Sequence, residues 1–374
     1  MKRTTRNVQL RKRIKSVQNR AKFVGILYLL GLLGIVALTA VMPLMDGAAT
    51  TLTAMAFFKP FKTVFAGGMA GLKNLPVADT FAAFCALLYG LMLLAMLIDV
   101  LRSFSKLGWL FKRRASYSNG FNRNMYAMDD IAKRFSGSFA LIVITNLLIY
   151  MFSGDGVKIT TFGYITLAVG LFIHFVAGLL GGKVTLFTTG DRVEEEEREH
   201  GLLVYFVRNV LQLGVVGVIV YFLLSQSVLV ATIAKILDAV MVSKAGFGSL
   251  EMKELIPAAV ELVAWLCVFV LVKHATGATE YNRECMHGAG MKNFAVFAFF
   301  ATLAIGALVA LPYLGIGADS GLNSKLLIAA IAAFVGFLLD CIVQSRRRGT
   351  YDELDMDAYF REGEESAKYN NTII

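Results

Sequence analysis

The stretch IPAAVELVAWLCVFVLVK, residues 256–273, is apolar almost throughout, with one acid, Glu261, before it ends at Lys273. As a helix rising 1.5 Å per residue it covers most of the ~30 Å of hydrocarbon in a bilayer. A second stretch, LPVADTFAAFCALLYG at 75–90, has the same layout. Leu75-Pro76, Asp79 and Cys85 in one correspond to Leu255-Ile256-Pro257, Glu261 and Cys267 in the other, and the acid lies six residues before the cysteine in both. Farther on, Phe121-Asn122-Arg123-Asn124 corresponds to Tyr281-Asn282-Arg283-Glu284, each expected in the connection between the second and third apolar run of its half. The chain reads as one four-helix membrane unit written twice in the same order.

Composition supports a membrane setting. With 57% hydrophobic and 17% charged residues, and a mean hydropathy of +0.63, the polar side chains are too few to cover a soluble domain of this length. Eight apolar runs approach the length of a crossing: 23–45, 80–101, 138–153, 162–182, 202–224, 256–273, 294–314 and 326–343, the third being short. The expected fold is an all-α integral membrane protein with about eight transmembrane helices in two parallel four-helix pseudo-repeats. Its parts are a basic cytoplasmic arm at 1–22, repeats at 23–182 and 183–345, and an acidic cytoplasmic tail at 346–374. An even number of crossings per half makes the repeats parallel, related by a pseudo-two-fold axis along the membrane normal.

Charge sets the expected orientation. Residues 1–22 hold nine Lys or Arg and no acid, and the apolar run that follows is too long for a signal-peptide core and lacks its cleavage pattern. With that arm in the cytoplasm, 28 Lys and Arg fall on the cytoplasmic side and 8 outside, Arg208 lying within a helix. This positive-inside bias places both termini in the cytoplasm, in a plasma or inner membrane. The partners implied are the lipid bilayer, with anionic lipid at the basic arm, and a protein partner or a second copy; an arm with so few aromatics is a poor match for nucleic acid. The acids of 351–368 and Glu194 to Glu197 are an alternative attraction for the arm.

The long outer segments 46–79 and 225–255 contain apolar stripes at 51–72 and 229–242 that read as helices. They either lie in the outer interface or dip into the membrane as re-entrant elements. In the second, Ile233, Ile236, Leu237 and Val240 share a face, with Lys235 and Asp238 elsewhere.

Ionisable and strongly polar groups at membrane depth are the candidate site residues. Asp79 and Glu261 are related by the expected two-fold and would meet as two carboxylates at an outer mouth, a pairing suited to proton or cation coupling. The alternative is that each begins its helix at the interface, where an acid favours the helix dipole. Tyr205, Arg208 and Gln212 share a helix face. Arg208 there either pairs with an acid, recognises an anion or extends to the headgroups. Asn146 and His174 would be neighbours in a tight hairpin, tying helices together or relaying a proton. Asp99 and Asp340 are expected at the cytoplasmic interface, paired with Arg102 and with Arg346 to Arg348. Gly178, Gly181 and Gly182, and Gly214 with Gly217, offer close helix contacts.

Other chemistries lack their residues. No phosphate-binding loop, zinc-protease or nucleophile-elbow motif and no CxxC is present. His274, Cys285 and His287 match no standard zinc spacing, so neither metal nor cofactor is expected, and nothing marks an enzyme. The expected function is a transporter or channel-like permease with its pathway at the repeat interface, lined by Asp79, Glu261, Arg208, Gln212, Asn146 and His174. The alternative is a non-transporting subunit or scaffold of a larger membrane complex, in which the same residues are packed and dry.

Overall fold

A computed structural model describes residues 2–41, 45–47, 50–51, 77–111, 117–153, 157–159, 161–186, 202–239, 251–276, 292–316 and 323–351. Nine α-helices are seen among them: α1 (Lys2–Val41), α2 (Val77–Leu110), α3 (Tyr117–Ser153), α4 (Thr161–Leu186), α5 (Leu202–Leu224), α6 (Leu229–Leu237), α7 (Met252–Ala275), α8 (Lys292–Ala310) and α9 (Ser324–Tyr351). Six contain segments long and apolar enough to cross a membrane, and the α5–α6 pair, bent by 47° at its break, adds a seventh. In α4 the apolar stretch Gly163–Ala177 is shorter. The chain is therefore built as a multi-pass membrane protein.

Helices extend beyond the apolar runs. The basic arm is continuous with the first span in α1, and α9 runs on through Arg346 to Arg348 to Tyr351. The stretch 102–137, expected as a connecting loop, is mostly helix: α2 runs to Leu110 and α3 starts at Tyr117. The third span is accordingly 25 residues, Ala127–Met151, rather than the short run from 138. Hydropathy marks only the part of a helix that faces lipid, so a helix that outruns the membrane looks too short in sequence.

A small antiparallel sheet was not foreseen. β1 (Met45–Gly47) pairs on one side with β2 (Thr50–Thr51) and on the other with β3 (Val157–Ile159). Because β1 follows α1 and β3 follows α3, this pairing fixes the ends of both helices on one face. Most of the outer helix expected at 51–72 lies outside the described residues. The one expected at 229–242 is present as α6, with Leu229 and Thr232 buried and Lys235 and Asp238 exposed.

Lipid is as apolar as leucine, so membrane helices associate through close packing and polar ties rather than by escaping water. One core gathers Tyr28, Leu32, Tyr89, Met92, Phe135, Phe139 and their neighbours from α1 to α4. A second, around Trp265, joins α5 to α9, and Met151 at the end of α3 belongs to it. In this second core, buried Ala298 and Ala301 of α8 and Ala329 and Ala333 of α9 let the two backbones approach.

Three packed pairs recur in the two halves: α1 with α2 as α5 with α7, α2 with α3 as α7 with α8, and α1 with α4 as α5 with α9. The diagonals differ, since α1 packs closely on α3 whereas the second half closes as a ring in which α8 packs on α9. Between halves the main contacts are α3 with α7 and α4 with α5.

Of the glycines expected at close contacts, the surroundings of Gly178, Gly181 and Gly182 lie outside the described residues. Gly214 and Gly217 face open space, while Gly31 meets Ile173, Gly170 meets the Phe139 ring and Gly336 meets Val215. A helical glycine matters only where a neighbouring helix occupies the place of its Cβ, and the sequence does not name that neighbour.

Candidate functional site

The α5–α6 span breaks at Ser225 to Val228, and an unwound turn leaves backbone donors that need partners. Glu261 of α7 supplies them. Its carboxylate accepts hydrogen bonds from the backbone N–H of Val228 at 2.8 Å and of Leu229 at 2.9 Å, from Trp265 Nε1 at 3.0 Å, and from the Ser227 hydroxyl. Only 1% of Glu261 is exposed. The carboxylate thus caps the N-terminal end of α6, where the helix dipole favours negative charge. Glu261 lies in the third turn of α7, so it does not start its own helix as the alternative sequence reading had it. The first-turn acid is Glu254, 2.6 Å from Lys235 of α6.

A further tie holds the break to α9. Asn323 Nδ2 donates to Gln226 Oε1 at 2.7 Å, while Asn323 Oδ1 accepts from the N–H groups of Lys325 and Leu326 at the start of α9. Seventeen residues farther along α9, Asp340 is 3% exposed and accepts from Gln212 Nε2 at 3.2 Å. The side chains of Arg346 to Arg348, the partners expected for Asp340, lie outside the described residues.

Sequence reasoning missed the charged cluster of the first half. Arg134 of α3 reaches Asp99 of α2 at 3.2 Å and holds Asp130 of its own helix with two bonds, while the Ser138 hydroxyl donates to the other Asp99 oxygen at 3.1 Å. Asp99 is therefore bound to Arg134 rather than to Arg102, which is exposed. The available signal was an arginine within an otherwise spanning helix, obscured because 102–137 was assigned to a loop. Asn124, from the repeated Phe-Asn-Arg-Asn motif, is buried and donates to the carbonyls of Trp109 and Leu110, closing the C-terminal end of α2.

The remaining candidates are dispersed. Asn146 donates to the Ile142 carbonyl of its own helix. His174 is fully buried, edge-on to Phe175 and beside the backbone of Thr276 at the end of α7, with neither ring nitrogen in hydrogen-bond geometry among the described residues. Asn146 and His174 therefore do not bond to each other. Asp79 is the third residue of α2 and Arg208 lies one turn before Gln212 on α5; their side chains fall outside the described residues. The helices carrying Asp79 and Glu261, α2 and α7, are not among the closely packed pairs. No group of three or more His, Cys, Asp or Glu placed to hold a metal occurs among the described residues. Comparison with family models, curated proteins and solved structures finds no match.

Proposed function

We propose that this chain is a multi-pass permease or channel-like transporter whose pathway runs inside the ring of α5, α7, α8 and α9, rather than between the halves. The observation that carries this reading is the broken α5–α6 span with the Glu261 carboxylate drawn to its break. Interrupted spans recur at the ion and substrate sites of transporters because unwinding frees backbone groups to bind. An ionisable side chain kept at membrane depth is costly unless it works. Gln212 lies on α5 thirteen residues before Ser225 at the break, so the Gln212–Asp340 contact lies about 20 Å below it at 1.5 Å per residue. A carboxylate at each level favours a proton or another cation over an anion.

The same proposal includes eight crossings, α1 to α4 and α5–α6 to α9, with both termini cytoplasmic. The three packed pairs common to the halves support descent from a repeat. Exposed Tyr164, Tyr221 and Tyr313, at helix ends on the sheet-bearing face, suit an outer aromatic belt.

A second reading, a non-transporting subunit of a membrane complex, is favoured by one observation: Glu261, Gln212 and Asn146 all direct hydrogen bonds inside the bundle. The deciding experiment places single cysteines at 212 and 261, in a background lacking the four native thiols, and adds a membrane-impermeant thiol reagent from either side. Reaction at 212 supports a hydrated path; protection at 212 with reaction confined to outer positions supports the subunit.

A further inference from the structure

The short helix α6 is tied to α7 at two points with matching spacing. Val228 is held by Glu261, and Lys235 by Glu254, seven residues apart on each helix. At 1.5 Å per residue both intervals are about 10 Å, so α6 lies antiparallel along two outer turns of α7 and bridges Pro257, a residue that cannot supply its helix hydrogen bond. Leu229 and Thr232 of α6 are buried, as is Ala258 of α7.

The two ties are unequal. The inner one is buried and gathers donors from Ser227, Val228 and Leu229 onto one charged group, the stronger kind of hydrogen bond. The outer one is a single pair with side chains 55% and 43% exposed. Pairs this exposed shift an equilibrium only a few-fold.

We propose that α6 is a strap over the outer end of the α5–α9 ring, anchored at its Leu229 end by Glu261 and released at its Lys235 end. What the strap admits rests on the transport reading; its movement is a property of α6 and α7 alone.

The test uses the full chain, free of native cysteines, in phosphatidylcholine–phosphatidylglycerol vesicles. A cysteine replaces Thr232, on the buried face of the strap, and its reaction with an external, impermeant methanethiosulfonate is timed. Glu254→Lys sets two cations against each other and is expected to speed the reaction about threefold to fivefold; the swapped pair Lys235→Glu with Glu254→Lys returns it to within about twofold of the parent. An equal rate in all three backgrounds, or a swapped pair that stays fast, overturns the strap. Ala258→Cys, on the α7 side, should follow the same order and guards against misfolding at 232. If Gln212→Cys is protected while this order holds, the pathway fails and the strap stands; if Gln212→Cys reacts and the order is absent, the reverse is true.

Discussion

Arg134 and Asp99 meet at 3.2 Å about 15 Å along their helices from the point where Asn124 ties α3 to the end of α2, ten residues away on one helix and eleven on the other. That distance is half of a ~30 Å hydrocarbon layer. Two carboxylates share one guanidinium there, since Asp130 is also bound to Arg134. Asp129 and Lys133 form a separate pair on α3, and α1, which packs on both helices, carries no charge between Lys22 and Val41.

Removing the guanidinium leaves both acids uncompensated. Arg134→Ala should destabilise the protein by about 2–3 kcal/mol, below the full cost of breaking a buried pair because all three side chains retain some exposure. Adding Asp99→Ala should restore part of the loss. Thermal unfolding in detergent reads both, and an unchanged midpoint in the single variant would show that the cluster carries no stability.

Glycine position separates close approach from open surface. Gly170→Ala places a Cβ against the Phe139 ring and should cost about 1–3 kcal/mol by overpacking. Gly217→Ala meets nothing within 4 Å and should be neutral or raise stability by up to ~1 kcal/mol through helix propensity. Unfolding midpoints of the pair test the contrast; equal effects refute the packing of α4 on α3.

Asn124→Ala deprives the buried Leu110 carbonyl and the half-buried Trp109 carbonyl of their donor. A loss of about 1–2 kcal/mol is expected, with faster hydrogen exchange over the last turn of α2 and not at α9. Uniform exchange along both helices would place the effect elsewhere.

Sheet register offers a covalent check of the first half. Asp46 and Lys158 are directly paired across β1 and β3, where opposed Cβ atoms lie roughly 5 Å apart. Cysteines at these two positions should form a disulfide under mild oxidation, whereas cysteines at 46 and 110, at opposite ends of the first bundle, should not.

The sequence made the spans legible because lipid contact leaves an apolar run, and seven of the expected crossings coincide with long apolar helices or the bent pair. Ile233 falls on the packed side of α6 for the same reason, an apolar stripe with Lys235 outside it. Partners were not legible. Arg134 finds Asp99 thirty-five residues away, and Glu261 serves a helix start thirty-two residues before it. Such choices depend on which helices are neighbours and how they are rotated, and neither is written in local hydropathy. The motif shared by Asp79 and Glu261 located an acid toward the N-terminal end of two helices but not the backbone that Glu261 caps.

The unbroken α1 changes the meaning of the amino-terminal charge. Its candidate span begins at Asn19, and the helix starts at Lys2. Seventeen residues of helix carry Lys2 roughly 25 Å along the axis from the span, three times the ~8 Å over which surface charge is felt in physiological salt. Arg20 and Lys22 lie inside the candidate span, whereas Lys2, Arg3 and Arg6 are the basic positions farthest from it along α1. Continuous helix thus turns a string of charges into a rod: the nine basic positions from Lys2 to Lys22 keep fixed axial spacings along α1.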